Sequence, residues 1–236
     1  EFRLKNIKKT GDLAMGLPIE STALDECIRL GAERIGWQKK RGREKAGLRR
    51  QGVGMAIMMH VSGSFPFLLE HSGASIRLNE DGSANLMVSA MDMGQGISGA
   101  LAQIAAEELG LHAEDIHVIS NDTDITPFDS GQHASRSIYV IGTTVQRAAG
   151  EAKQQLLERA SEMLSVSADK LDVKGGRVYV KTSPERGLAI AEVTRGTIYN
   201  FQRECSQIPG ECSFEQEVLS PPFQAAFAEV EVDVEV

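Results

Sequence analysis

The sequence predicts an α+β fold, and three observations carry that prediction. Apolar residues recur at helical spacing over two stretches, 97–109 and 138–164. Period-two alternation interrupted by Asp81-Gly82 and by Gly175-Gly176 marks two β-hairpins. Strands and helices also follow one another without a regular β-α-β repeat, which argues against a wholly parallel sheet.

Each element follows in order. Pro18 to Trp37 reads as a helix, because Leu24, Cys27, Ile28 and Ile35 share one face and Ser21 or Thr22 can cap it. "WQKKRGREKAGLRRQG", Trp37 to Gly52, is dense in Lys and Arg and reads as a solvated basic linker near residues 38–50. "GVGMAIMMHVSGS" predicts a buried strand ending at Gly63. "ASIRLNEDGSANLMVSA" predicts a hairpin, with Ile76 and Leu78 alternating outward and Leu86, Val88 and Ala90 on the return. Ile97, Leu101, Ile104, Ala105 and Leu109 form one face of a helix that Gly110 ends. "EDIHVISND" is a short strand, and "TDITPFDSGQHASRS" is a loop rich in turn residues. From Ile138 to Leu164 a long helix repeats Val145, Ala148, Ala149, Ala152, Leu156, Ala160 and Leu164 on one stripe. "KLDVKGGRVYV" is a second hairpin and "GLAIAEVTRG" a short helix. Thr197 to Phe214 shows no regular pattern, and "FQAAFAEVEVDVEV" alternates as a strand.

Composition narrows the function classes. The chain has 236 residues, 42% hydrophobic and 25% charged, enough for one large domain or two small ones. Its formal net charge of -8 implies no basic face for nucleic acid or an anionic membrane. No apolar run is long enough to span a bilayer and no secretory leader is visible, so a cytoplasmic location is the expectation. Cys27, Cys205 and Cys212 match neither a disulfide framework nor a common zinc spacing, and Cys27 sits on an apolar helix face.

Two segments have the character of binding sites. "MDMGQGISGALAQIAAEELG" runs from a strand through a glycine-rich turn into a helix start. N–H groups of a first helical turn carry partial positive charge, and Gly94 and Gly96, lacking Cβ, let a ligand approach. Gln95 adds an amide suited to a fused heterocycle. The segment is neither a dinucleotide fingerprint nor a Walker A loop, and a plain strand-to-helix turn is the alternative. The second segment, "DTDITPFDSGQHASRS", also stands before a long helix. Gly131 offers a permissive backbone, Ser135 and Ser137 offer hydroxyls, and Arg136 offers a fixed charge; an N-capped loop with Ser135 as cap is the alternative. One ligand carrying a heterocycle and a phosphate could lie between the two. His133 reads as pocket-lining or hydrogen-bonding, since no second ligand stands at metal spacing. His60, His71, His112 and His117 are scattered and carry no assigned role. No nucleophile-and-base pattern occurs.

These motifs carry a resemblance. "MGQG" with "ALAQIAAEELGL", then "DT…P.DSG..ASRS…..G..V..AA", resembles the large molybdenum-binding subunit of the xanthine dehydrogenase and aldehyde oxidase family. "EFRLKN", "GVGMA" and "FAEVEVDVE" match the same family in order, so the resemblance spans nearly the whole chain. It implies the mixed strands and helices of a molybdopterin-binding domain, with residues 1–236 forming part of one. It implies a molybdenum hydroxylase that uses water to hydroxylate an N-heterocycle, foremost xanthine or another purine, or an aldehyde. By resemblance Gly94, Gln95 and Gly96 would contact molybdopterin, in its mononucleotide or dinucleotide form. Gln132, His133, Ala134, Ser135, Arg136 and Ser137 would hold the pterin side and the phosphate, with Ala134 toward the substrate side of the metal. Protein side chains supply no metal ligand in that family. Partner domains or subunits would carry [2Fe-2S] clusters and FAD, beside the rest of the molybdenum subunit.

The family's catalytic glutamate, in a Gly-Val-Gly-Glu segment, has no match before Val236. The family's upstream glycine-rich and phenylalanine-arginine segments are missing as well. The chain therefore reads as an internal piece of an enzyme, inactive alone, with no catalytic residue of its own. Nicotinate and carbon monoxide dehydrogenases and aromatic-thioester reductases of the same superfamily fit the glycine loop equally. A non-catalytic module for a phosphorylated ligand is the rival from another class.

Overall fold

The structure, a computed structural model, describes residues 1–42, 47–199 and 206–235. Cys205, part of the basic stretch and part of the patternless region after Thr197 lie outside the described residues. In chain order the elements are α1 (Phe2–Asn6), β1 (Leu13–Ala14), β2 (Leu17–Pro18), α2 (Leu24–Ile35), α3 (Trp37–Lys40), β3 (Arg49–Met59), β4 (His71–Leu78) and β5 (Ala84–Val88). They continue with α4 (Ile97–Leu109), β6 (Ile116–Ser120), α5 (Ser137–Leu164), β7 (Leu171–Lys174), β8 (Arg177–Val180), β9 (Ser183–Ala189), α6 (Ile190–Ile198), β10 (Pro209–Glu215) and β11 (Phe223–Asp233). The α+β expectation holds. The chain forms two compact units, Glu1–Ser62 with Val218–Val236, and Gly63–Glu217.

In the first unit, β3 and β11 form a two-stranded antiparallel ribbon, in register from Arg49 opposite Asp233 to Met59 opposite Phe223. The sequence predicts β3 as a fully buried strand. Instead its residues alternate between partial burial and exposure, because a ribbon of two strands has one face to cover. Phe227 of β11 packs on α2 at Gly31, with its ring edge-on to Trp37 at 6.1 Å. The predicted helix from Pro18 begins only at Leu24, since Leu17–Pro18 pairs with Leu13–Ala14. Ala23 is its N-cap with no side-chain bond, in place of the expected Ser21 or Thr22. Cys27 is half-buried there. The basic stretch joins α3 to β3 within this unit. Lys40 pairs with Glu229 at 2.6 Å and Arg49 with Glu231 at 3.3 Å, so part of its charge is matched by β11.

The second unit is built on a four-stranded sheet in the order β10-β4-β5-β6. β4 and β5 are the predicted hairpin, and Ile76 stands opposite Leu86 with both side chains buried. β6 lies parallel to β5 through the crossover helix α4. Ala74, Ile76, Leu78, Ala84, Leu86 and Val88 face α4 and α5, and these join one continuous core. The stripe of α5 is largely alanine, so helix and sheet approach closely. Its larger members Ile141, Val145 and Leu156 are fully buried, and each contributes roughly 2 kcal/mol by burial. A second sheet, β7-β8-β9, packs with α6 against the same core.

Within this unit two strands escape the sequence reading, as β1 and β2 do in the first. β9 contains Pro184 and Gly187, both strand-breaking, and pairs only as an edge against β8. β10 opens Pro209-Gly210, within the stretch without pattern. A Cβ on Gly210 would stand 2.0 Å from the Ala148 carbonyl oxygen, so glycine there lets β10 sit on α5 while it pairs with β4.

Candidate functional site

The topology brings both predicted segments to one end of the second unit. The start of β4 and the ends of β5 and β6 lie together, because β5 runs against β4 and along β6. α4 and α5 run in the same direction: Ile104 abuts Gly142, and Glu108 lies near Gly150 and Lys153. The loops before the two helices therefore open side by side.

The first loop is held by its own short-range bonds. Gly94 and Gly96 have φ of 96° and 75°, left-handed values that disfavour any side chain. A Cβ at either position would meet no atom within 4 Å, so the space beside both glycines is open. The sequence reading leaves their N–H groups free for an anion. In the structure both donate to Asp92 Oδ1, at 2.8 Å from Gly94 and 3.3 Å from Gly96. An anion approaching here meets a carboxylate that has already taken those donors. Gln95 also turns inward: its Oε1 accepts from the Met93 amide at 2.5 Å and its Nε2 donates to the Met91 carbonyl at 3.0 Å.

The second loop is built around Arg136. This arginine is fully buried at the N-cap of α5. Its Nη1 donates to both oxygens of Asp129, at 2.8 and 2.9 Å, and to the Gly131 carbonyl at 3.0 Å. Its Nη2 donates to the His71 carbonyl at 2.8 Å, and its Nε to Glu70 Oε2. The fixed charge expected to face an anion is thus enclosed between two carboxylates. Glu70, also fully buried, accepts from the Ser64 amide through Oε1. His133 Nδ1 lies 3.6 Å from that oxygen and shares a 3.3 Å hydrogen bond with Ser64 Oγ, as expected for a hydrogen-bonding histidine. Ser135 is not the cap of α5, and it is exposed.

Between these anchors the backbone is strained. Ala134 and Ser135 hold φ of 44° and 54°, which non-glycine residues seldom adopt. The Ala134 carbonyl accepts from the Gly63 amide at 2.9 Å. Ser137 Oγ donates to Gln132 Oε1, while Gln132 Nε2 is enclosed without a partner. Exchanging the amide's oxygen and nitrogen leaves the other atom orphaned, so in either assignment one polar atom of Gln132 lacks a partner.

Glu70, Asp129 and Ser64 are the residues that sequence reasoning missed. A lone glutamate closing the run "FPFLLE" is the one available signal, since an unpaired charge beside an apolar segment needs a counter-ion. Among the described residues no group of three or more His, Cys, Asp or Glu could hold a metal, and no helix is long and apolar enough to cross a membrane. Two of the clefts border these elements. One, on the outer sheet face, is lined by Arg77, Met87, Thr126, Glu211 and Cys212, whose thiol burial pushes up. The other is the groove between α4 and α5, lined by Ile104, Ile138 and Gly142.

Comparison with known proteins gives consistent matches. The molybdopterin cofactor-binding domain family matches residues 30–236. The xanthine dehydrogenase molybdenum-binding subunit of Escherichia coli O157:H7 is 33% identical over 240 residues, covering 99% of this chain and 32% of the relative. The gamma subunit of the 6-hydroxypseudooxynicotine dehydrogenase complex of Paenarthrobacter nicotinovorans is 27% identical, over 84% of this chain and 25% of the relative. Among solved structures, the reconstituted CO dehydrogenase of Oligotropha carboxidovorans superposes on 98% of this chain and 31% of its own, with a TM-score of 0.83 and 24% identity, a likeness of fold. The chain thus spans about a third of the length of the Escherichia coli xanthine dehydrogenase molybdenum-binding subunits it matches, 32% of each.

Proposed function

The chain belongs to the molybdopterin cofactor-binding domain family, and from that premise we propose that its two loops hold a molybdenum-bearing molybdopterin in a molybdenum hydroxylase. The observation that carries this reading is the side-by-side opening of the loops, with an orphaned Gln132 amide atom and open space beside Gly94 and Gly96. These features suit a flat polar heterocycle: the glycines admit it and the amide gains a partner. Gly94, Gln95 and Gly96 face one side of the pterin. On binding, Gln95 exchanges its bonds within the loop for bonds to the ligand. Gln132, His133, Ala134, Ser135 and Ser137 line the other side. Arg136 contributes shape only, because its charge is neutralised inside. A phosphate, in either the mononucleotide or dinucleotide form, is held by the first-turn amides of α5 and by the serine hydroxyls.

When bound, the molybdenum-pterin group supplies a redox centre that accepts two electrons as a water-derived oxygen enters a C–H bond. This chain's residues bind and orient that group, and we assign none of them as catalytic base. Residues 1–236 act as part of one cofactor-binding domain, completed by the rest of the molybdenum subunit. Partner subunits or domains carry [2Fe-2S] clusters and FAD onward, in a cytoplasmic assembly. Xanthine or another purine is the leading substrate, supported by the 33% identity to a xanthine dehydrogenase subunit. A nicotine-derived heterocycle is the second reading, supported by the relative from the 6-hydroxypseudooxynicotine dehydrogenase complex.

The test uses Gly96→Asn in the full-length subunit. Asparagine tolerates a left-handed backbone, and no protein atom obstructs its Cβ. The fold is retained while bound molybdenum and released pterin fall at least tenfold. Unchanged cofactor content would remove this loop from the site.

A further inference from the structure

Glu70 and Asp129 lie outside every site residue argued above, yet both are buried carboxylates joined to one arginine. Each oxygen of the pair is in use. Asp129 gives both to Arg136 Nη1. Glu70 gives Oε2 to Arg136 Nε and Oε1 to the Ser64 amide. Both side chains are enclosed by the protein, so neither reaches a substrate proton and neither is a base candidate. Their effect is on the chain. Through Arg136 they join the segment before β4, the loop at Asp129, and the N-cap of α5. The added bonds to the His71 and Gly131 carbonyls make the joint rigid. Ser130 repeats the tie, its Oγ accepting from the His71 amide at 3.1 Å.

The residues spanned by this joint are the ones whose backbone is otherwise unfavourable. Ala134 and Ser135 hold left-handed φ without being glycine. Such a pair persists only where the surroundings over-determine it. The same turn leaves Gln132 with an orphaned amide atom, which an unconstrained loop would relieve by turning toward water. The clamp therefore keeps the loop in a shape that is costly for the free protein and suited to a ligand. Pre-organisation of this kind removes an ordering cost from binding.

We propose that Glu70 and Asp129 are positioning residues for the cofactor loop, acting through Arg136 and touching no cofactor themselves. The proposal rests on the reading that this loop holds molybdopterin. It separates from a purely structural role, because a structural ion-pair network would affect global stability and leave ligand retention alone below the melting temperature.

The test compares wild-type full-length subunit with Glu70→Gln and Asp129→Asn, far below their melting temperatures. Cofactor release, followed as loss of molybdenum and pterin, is expected to speed at least tenfold in both variants. In cofactor-stripped wild type, the amides of Ser64, Gly131 and Arg136 are expected to resist hydrogen exchange, as each donates within the framework. In the variants they exchange at least tenfold faster, while amides at the centre of α5 are unchanged. Variants that lose exchange protection throughout α5 and keep normal release would show a structural network and overturn the proposal. Should neither variant fold, stripped wild type still decides: unprotected Ser64, Gly131 and Arg136 amides would mean the clamp does not hold the loop. Wild-type subunit that carries no molybdopterin when produced with a cofactor supply would sink the cofactor reading itself, a separate outcome.

Discussion

The loop before α4 and the loop before α5 stand in the same place relative to their helices, yet they are held by opposite means. Met91 to Gly96 uses hydrogen bonds that span at most four residues, all at exposed atoms. Its awkward backbone angles fall on two glycines, which adopt them without steric cost. Asp129 to Ser137 puts equally awkward angles on an alanine and a serine, and a buried arginine bonded to two carboxylates ties the chain on either side of them. Where glycine is present the local chain suffices. Where it is not, a long-range ionic framework substitutes. The second solution fixes side chains as well as backbone, at the risk that one lost member strands the others in a dry interior.

That asymmetry can be broken most sharply at Arg136. Arg136→Met leaves Glu70 and Asp129 buried without a counter-ion and should destabilise the second unit by about 3–5 kcal/mol, read from denaturant unfolding. A loss below about 1 kcal/mol, the scale of an exposed pair, would show that the framework is not what holds the loop. The first loop should respond more modestly. Gly94→Ala adds no clash, so only the left-handed backbone matters, at about 1–2 kcal/mol. An effect as large as that of Arg136→Met would mean the glycine loop has a hidden framework of its own. Smaller again is Asp92→Asn, whose amide oxygen can still accept from Gly94 and Gly96. Its melting temperature should barely move, and because a carboxylate is lost beside the helix start, binding of inorganic phosphate by the chain should rise rather than fall.

A control outside both loops concerns the β4–β5 turn. The Ser83 hydroxyl and amide hold the Asp81 carboxyl below its usual range. Its folded value is depressed, so its small contribution is complete above the ordinary carboxylate range. That contribution fades as pH falls through the lowered value. Ser83→Ala should raise the Asp81 midpoint in a carboxyl-carbon NMR titration, without changing either loop.

Much of this fold was legible because periodicity is local. α4, α5 and the β4–β5 hairpin each announce themselves in a dozen residues or more, and Gly110 ends α4 in the expected left-handed cap. β9 and β10 were not legible. Proline and glycine are poor strand formers in isolation, and their strand character comes from the partners they meet, β8 and β4. The same division applies to the site. The glycine spacing located the first loop, and the serines and Arg136 located the second. The direction of the Arg136 side chain was not readable, because its deciding partner, Glu70, stands 66 residues earlier. A charge in a sequence says that a counter-charge is needed, and only the fold says whether a ligand or the protein supplies it.

The β3–β11 ribbon has a consequence for how the molecule is made. Its two strands come from opposite ends of the chain, with the whole of the second unit between them. During synthesis β3 leaves the ribosome first and stays an unpaired edge until Phe223–Asp233 follow. The strands and helices of the second unit, β4 to β10, have all emerged before β11 appears. Vectorial synthesis thus lets the inserted unit form before the ribbon can close. A chain arrested before Phe223 would carry eleven residues of open strand, Arg49–Met59, the kind of edge that recruits neighbours into aggregates.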